Sequence, residues 1–248
     1  MNIIVPIKQV PDLVEELEIA SSGKELDTEW LKYKLNEFDD HALEEALILK
    51  DNEGAHVTAI ALDSEDIDKA LYAAAAKGAD RVIKVTGAGE QPSSHEAAKA
   101  LANVIQSMDY DMIFTGVQAV DDRDGQIAIL LAHYLDKNHI SVVTGVEPSG
   151  DKVVVHKEYG GGLVAEFEAK MPVVLGIQAA SQTPRYVPVA KVRRAMRSTD
   201  LEEMSAGDVS VNSGSSVSKM FKPESGSGAE MISGSAEDIA AKIKSLIG

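Results

Sequence analysis

The stretch Ile113-Phe-Thr-Gly-Val-Gln-Ala-Val-Asp-Asp-Arg-Asp-Gly-Gln126 changes character twice. An apolar run stops at Gly116, a polar loop follows, and a helical pattern begins after Gly125. A strand that ends in glycine lets the backbone approach a ligand closely, and the unpaired N–H groups of a following helix can face a phosphate. The same residue types also turn a chain and cap a helix. Taken alone, the segment is a turn more often than a site.

Working outward, residues 3–7, 57–62, 81–85 and 112–115 are short apolar runs rich in β-branched residues, which predicts strands. Between them lie helical patterns. Residues 41–50 repeat apolar positions at Ala42, Leu43, Ala46, Leu47 and Leu49, and residues 67–77 do so at Ala70, Leu71, Ala73, Ala74 and Ala75. Helix starts are marked by Asp63 and Ser64, and by the capping-box pattern Ser93-Ser-His-Glu96. A fourth helix follows Gly125 through Ile127, Leu130, Leu131 and Leu135. Strands alternating with helices require a parallel sheet covered on both faces, so the expected class is α/β, doubly wound and mostly parallel. Residues 16–27 alternate around Ser22-Gly23 as a small hairpin. Residues 152–156, 163–169 and 173–177 read as an antiparallel extension, with Gly160-Gly-Gly162 as its turn.

Past Pro184 the composition shifts. Residues 200–233 are rich in Ser, Gly and isolated charges and predict an extended arm without a core of its own, followed by a terminal helix signalled by Ser235-Ala-Glu-Asp238. The expected organisation is an α/β domain over residues 1–184 and an arm with terminal helix over 185–248.

Composition removes several functions. The 248 residues include no cysteine, which excludes disulfides and Cys-ligated metals or clusters held by this chain alone. A net charge of −16 opposes general nucleic-acid binding. No apolar run approaches the roughly 20 residues of a membrane helix, and the strand-like opening Asn2-Ile-Ile-Val-Pro-Ile7 is expected of a cytoplasmic or matrix-type protein. Yet between residues 169 and 199 there is no acid, while Lys170, Arg185, Lys191, Arg193, Arg194 and Arg197 are basic. This strap is read equally as a contact for an anionic partner or phosphate and as a solvated loop.

In an open parallel sheet the ligand lies at the carboxyl ends of the strands where the winding reverses. That rule selects Pro6-Ile-Lys-Gln-Val-Pro11 after the first strand and residues 116–126, with Asn36-Glu-Phe-Asp39 at the same edge. Asn36 or Asp39 is most simply a helix cap and Phe38 a staple. Asp121, Asp122 and Asp124 are read as acids favoured by a helix N-terminus before they are read as metal ligands. Walker A, Gly-x-Ser-x-Gly, His-Glu-x-x-His and Gly-x-Gly-x-x-Gly patterns are all absent.

With these residues in view, the chain resembles the β (small) subunit of an electron transfer flavoprotein along its whole length. The resemblance rests on residues 3–10 (Ile-Ile-Val-Pro-Ile-Lys-Gln-Val), residues 35–46 (Leu-Asn-Glu-Phe-Asp-Asp-His-Ala-Leu-Glu-Glu-Ala), Ala76-Lys-Gly-Ala-Asp-Arg81, Gly116-Val-Gln-Ala-Val-Asp-Asp122, Gly161-Gly162 and Pro184-Arg-Tyr186. It implies a sheet like that of the adenine-nucleotide α-hydrolases, a heterodimer with an α subunit holding most of an FAD site, AMP in this subunit, and an arm that embraces α. Carried over position by position, the AMP pocket comprises Pro6, Asn36, Glu37, Phe38, Asp39, Leu62, Gly116, Val117, Gln118, Ala119, Val120, Asp121, Asp122, Arg123, Asp124, Gly125, Gln126 and Ile127. Phe38 and Leu13 stand at the family positions near the flavin edge, although Leu13 replaces an aromatic often found there.

Three departures bear on the reading. Where the family pattern is Asn-Gln-Thr-Gly, this chain has Gly125-Gln-Ile-Ala128, losing one amide and one hydroxyl. The loop lacks the Asp-Thr-Ala-Gln-Val-Gly-Pro of the bifurcating branch, which favours AMP and a single flavin. Residues 179–183 lack the leucine presented to acyl-CoA dehydrogenases, and the chain resembles the subtype serving trimethylamine-type iron–sulfur flavoprotein dehydrogenases. The expected role is an electron carrier, not an enzyme; a stand-alone adenine-nucleotide-binding regulatory domain is the alternative.

Overall fold

Residues 1–211, 216–224, 226 and 228–247 are described by a computed structural model. In chain order the elements are β1 (Asn2–Pro6), β2 (Gln9–Pro11), β3 (Tyr33–Leu35), α1 (Glu37–Glu53), β4 (His56–Leu62), α2 (Ile67–Lys77), β5 (Arg81–Thr86), α3 (Ser94–Ile105), β6 (Met112–Gly116), α4 (Ile127–Leu135), β7 (Asn138–Ser149), β8 (Lys152–Tyr159), β9 (Leu163–Lys170), β10 (Val173–Ile177), α5 (Val189–Ser198), β11 (Leu201–Ser205) and α6 (Ala236–Ile247). They divide into two units, residues 1–17 with 29–215, and residues 18–28 with 216–248.

The larger unit is built on one nine-stranded sheet in the order β11-β5-β4-β1-β6-β10-β7-β8-β9, parallel from β11 to β7 and antiparallel beyond. Its central strands β6 and β10 are buried at every position, because helices cover both faces. Alternation along β1 shows the two layers: Ile3 and Val5 pack with Leu43, Leu47 and Leu71 from α1 and α2, while Ile4 packs with Leu101, Ile105 and Leu131 from α3 and α4.

Helix α1 lies deep for a surface helix, with Glu44 and Glu45 both buried. Residues 180–185 cross it and neutralise the acids. Ser181 donates its N–H and hydroxyl to Glu45 at 2.8 and 2.9 Å, and Arg185 donates its backbone N–H and guanidinium to Glu44 at 2.9–3.0 Å. Arg185 therefore leaves the basic strap and becomes a structural ion pair, since a buried carboxylate persists only when paired.

Several local expectations change. Strand β10 was expected in the antiparallel extension but runs parallel between β6 and β10's other neighbour, β7. Its Val-Val-Leu-Gly-Ile sequence is apolar throughout because both faces are covered, with Leu175 on one layer and Val174 on the other. Strand β7 pairs parallel with β10 through its first half and antiparallel with β8 through its second, around the left-handed Val142 at φ 66°. Helix α2 begins at Ile67, later than Asp63 and Ser64 indicate, and Asp66 enters it in the left-handed region. The capping box at Ser93 and Glu96 is present. The α/β body also continues past residue 184. Helix α5 and β11 belong to it, and β11 pairs with β5 as an edge strand reinforced by Arg81–Glu202 and Lys84–Glu203 ion pairs at 2.5 and 2.9 Å.

In the smaller unit the expected hairpin forms around Gly23, with Ile19 bridged to Leu26. Met220 donates its N–H to the Gly23 carbonyl at 2.7 Å. Ser235 and Asp238 cap α6, whose Leu246 and Ile247 are exposed. Residues 212–215, 225, 227 and 248 of the expected arm lie outside the described residues.

Candidate functional site

The winding reverses at β1. From β1 the chain passes through α1 to β4 on one side, and returns through α3 to β6 on the other, so the carboxyl ends of β1 and β6 open the crevice where a ligand is expected. The start of α1 is pressed against this edge. A Cβ added to Gly116 would lie 2.4 Å from Asp39 Oδ1 and 2.8 Å from Phe38 Cβ, so only glycine permits the approach.

Asp39 ties the two strand ends together. It is 6% exposed and accepts the Lys8 backbone N–H at 2.9 Å and the Gly116 N–H at 3.1 Å. Burial pushes its carboxyl up to about 7, against the opposing pull of those N–H donors and the Lys8 charge. Asn36 occupies the N-cap position of α1 but its side chain makes no cap bond; Nδ2 instead donates to the Gln118 carbonyl at 2.9 Å. The reading of Asn36 or Asp39 as simple caps is thus replaced: both bridge α1 to the loop after β6. Asn36 Oδ1 and Thr115 Oγ1, each on a residue 1% exposed, have no hydrogen-bond partner. Buried polar atoms of this kind call for a further partner.

Residues 117–126 form the rim. Arg123 donates its N–H to the Ala119 carbonyl at 2.9 Å, Gln118 Nε2 donates to the Arg123 carbonyl at 2.8 Å, and Asp124 donates its N–H to Asp122 at 3.0 Å. Arg123 and Gly125 are left-handed, at φ 56° and 63°. Gly125 suits that conformation, which asparagine also tolerates, although a Cβ there would lie 3.3 Å from the Val117 carbonyl oxygen. Helix α4 then starts after Gln126 with no side-chain cap and no acid in its first turn, leaving its leading N–H groups without a side-chain acceptor.

The aspartates just upstream are engaged by other side chains. Lys8 Nζ lies 2.9 Å from Asp121 and 3.1 Å from Asp122, while Asp124 accepts the Ser94 hydroxyl at 3.1 Å. Burial pulls the Lys8 ammonium down, but hydrogen bonds and charge from the two aspartates outweigh it and hold its pKa above the usual lysine value.

Of the remaining expected residues, Pro6 is buried at the end of β1, Leu62 is half-buried at the end of β4, and Ala119 is buried beside half-buried Val117 and Val120. Glu37 is exposed and Phe38 half-buried at the start of α1; Gln126 is exposed and Ile127 half-buried at the start of α4. Leu13 is 57% exposed beyond β2, apart from the buried set. Lys8 and Thr115 were not singled out from the sequence, although both flank the selected loops. Lys8 sits within the quoted Pro6–Pro11 turn, but nothing in one sequence shows that its ammonium reaches a loop 113 residues away.

A family model described as "Electron transfer flavoprotein domain" matches residues 26–209, which include α1, β6 and the loop after it, α5 and β11. This chain belongs to the electron transfer flavoprotein family. Within it, the chain is 34% identical to electron transfer flavoprotein subunit beta of Methylophilus methylotrophus, over 100% of this chain and 98% of the relative. It is 35% identical to the subunit beta of Clostridium acetobutylicum over 86% of this chain and 81% of the relative, and 29% identical to that of Mus musculus over 98% and 97%. The family role is electron transfer, and the electron transfer flavoprotein resemblance seen in the sequence is borne out. No helix among the described residues is long and apolar enough to cross a membrane.

Proposed function

We propose that this chain is the nucleotide-binding β subunit of a heterodimeric electron transfer flavoprotein, holding AMP between β1 and β6 and helping to position an FAD carried mainly by an α subunit. One observation carries the AMP reading: at a single sheet edge, the partnerless Asn36 Oδ1 and Thr115 Oγ1 stand beside a loop made narrow by Gly116 and a helix start that no side chain caps. Backbone N–H groups at residues 125–127 would take the phosphate. Asn36 and Thr115 are the polar groups available to the nucleoside, and Pro6, Leu62 and Ala119 are apolar residues that would exclude water. Bound in this way, the nucleotide braces the switch point and takes no part in chemistry.

FAD supplies the electron-carrying chemistry. This chain contributes no acid, base or nucleophile to it; its share is positioning, through Phe38 and Leu13 at the flavin edge. The proposed donor is a trimethylamine-type iron–sulfur flavoprotein dehydrogenase, met by the exposed face of α5, where Lys191, Arg193, Arg194 and Arg197 lie beside exposed Tyr186 and Met196. Basic and aromatic residues of this kind suit an acidic protein surface. Cytoplasmic operation, without nucleic acid or membrane insertion, belongs to the same proposal.

The test is to purify the chain alone and with its α subunit, then release and identify bound nucleotides. AMP retained by this chain, with FAD recovered only from the pair, supports the proposal; a monomeric ATP-hydrolysing protein without flavin refutes it. Reduction of the reconstituted pair by the dehydrogenase tests the donor, and failure to reduce it rejects that assignment.

A further inference from the structure

We propose that Lys8 is the latch of the nucleotide loop: its ammonium, held by Asp121 and Asp122, fastens residues 117–126 over the crevice between β1 and β6 and sets how fast a bound nucleotide leaves. The proposal rests on the nucleotide reading above and assigns a positioning role to a residue outside the expected AMP contacts.

The geometry is that of a fixed post and a loop hooked onto it. Both backbone groups of Lys8 are anchored, its N–H to Asp39 at 2.9 Å and its carbonyl to the Asn36 N–H at 2.9 Å. Its side chain then spans to Asp121 and Asp122 at 2.9 and 3.1 Å. The near end of the loop is held separately, because Asp39 grips the Gly116 N–H and Asn36 grips the Gln118 carbonyl. Beyond Gln118, Lys8 ties the loop to the β1 side through Asp121 and Asp122, the Asp124 carboxylate accepts the Ser94 hydroxyl from α3, and the remaining bonds at Arg123 and Asp124 are internal. What the loop covers is marked independently by Asn36 Oδ1 and Thr115 Oγ1, buried and without partners.

Electrostatics suit a latch better than a permanent clamp. The Lys8 side chain is 42% exposed and its partners 30% and 39%, so salt and solvent weaken the pairs. Two partly exposed ion pairs are worth roughly a three- to tenfold change in an opening equilibrium. Each opening would also uncover the uncapped start of α4, where the phosphate would sit.

The test measures release of adenosine 5′-monophosphate from the reconstituted heterodimer at low and high salt. Lys8→Met and the double change Asp121→Asn with Asp122→Asn should each speed release roughly three- to tenfold at low salt, the scale of partly exposed pairs. Combining all three changes should add little more, since one interaction is lost only once. Lys8→Arg should keep release slow. Unchanged release in the first two variants, or fully additive effects in the combination, overturns the latch.

Backbone hydrogen exchange at residues 119–124 of the nucleotide-free protein provides a second readout. Faster exchange in both latch variants supports the proposal, and unchanged exchange overturns it. Should the wild-type protein hold no AMP, the nucleotide reading fails, and the exchange result alone decides whether Lys8 fastens the loop.

Discussion

Replacing Asp39 by asparagine separates the two things its carboxylate does. The folded-state pKa of about 7 lies above the ordinary value of 3.8, so the folded protein binds this proton more tightly than the unfolded chain. The resulting stabilisation is complete below pH 3.8 and is lost as pH rises through about 7. Roughly three pH units at about 1.4 kcal/mol each give a pH-dependent contribution of order 4 kcal/mol. Asp39→Asn carries no titrating proton and removes that slope. It also turns one acceptor oxygen into an NH2 that faces the N–H of either Lys8 or Gly116, and a buried N–H left without an acceptor costs about 1–3 kcal/mol. The variant should therefore be less stable than wild type near pH 5 and recover relative to it by about 3 kcal/mol toward pH 8, because roughly two pH units of the window set by the raised pKa lie above pH 5. Urea unfolding across that range measures the difference. A stability gap that stays constant with pH refutes the assignment of Asp39 as the titrating tie between the strands.

Other perturbations probe neighbouring elements. Gly116→Ala places a methyl group 2.4 Å from Asp39 Oδ1; overpacking of this kind costs about 1–3 kcal/mol, and both the melting temperature and the retained AMP should fall, whereas an unchanged protein contradicts the close approach of α1 to β6. Arg185→Leu strands the buried Glu44 carboxylate, which is 4% exposed. Loss of one partner of a buried pair costs about 3–5 kcal/mol, reduced here because Arg185 is partly solvated, and Glu44→Gln in the same background should restore part of the loss in a denaturant titration. Reversing charge at Arg193 and Arg197 should slow association with the proposed dehydrogenase donor and flatten its salt dependence in stopped-flow reduction, with melting temperature unaltered; an association rate insensitive to both changes rejects α5 as the proposed docking surface.

The layered α/β class was legible because it depends on local pattern. The continuous apolar run of residues 3–7 and the helical spacing of residues 41–50 appear directly as Ile3 and Ile4 buried on opposite layers and as Ala42, Leu43, Ala46 and Leu47 in the core. The reversal point at β1 followed from the same alternation, and with it the choice of the loops after β1 and β6. Strand β10 was misjudged for a physical reason. A short apolar run next to two antiparallel strands looks like a third, and only the helices covering both its faces make it a central parallel strand. The boundary at 184 failed similarly, since the polar, charge-rich β11 earns its place at the sheet edge through partners some 120 residues earlier, Arg81 and Lys84.

Local spacing of apolar, capping and glycine residues was enough to establish the α/β class and, through its motifs, the electron transfer flavoprotein resemblance, and to single out the loops after β1 and β6 as the proposed ligand edge. Tertiary structure alone decided which polar groups are consumed and which remain available. Asp39 and Asn36 read as helix caps in one dimension, yet they tie α1 to β6, while Lys8 reaches Asp121 and Asp122. The reason is that hydrogen bonds and ion pairs act over about 3 Å in space, whatever the separation in sequence, and the parallel crossover that brings residues 8, 39 and 121 to one edge is a property of the assembled sheet.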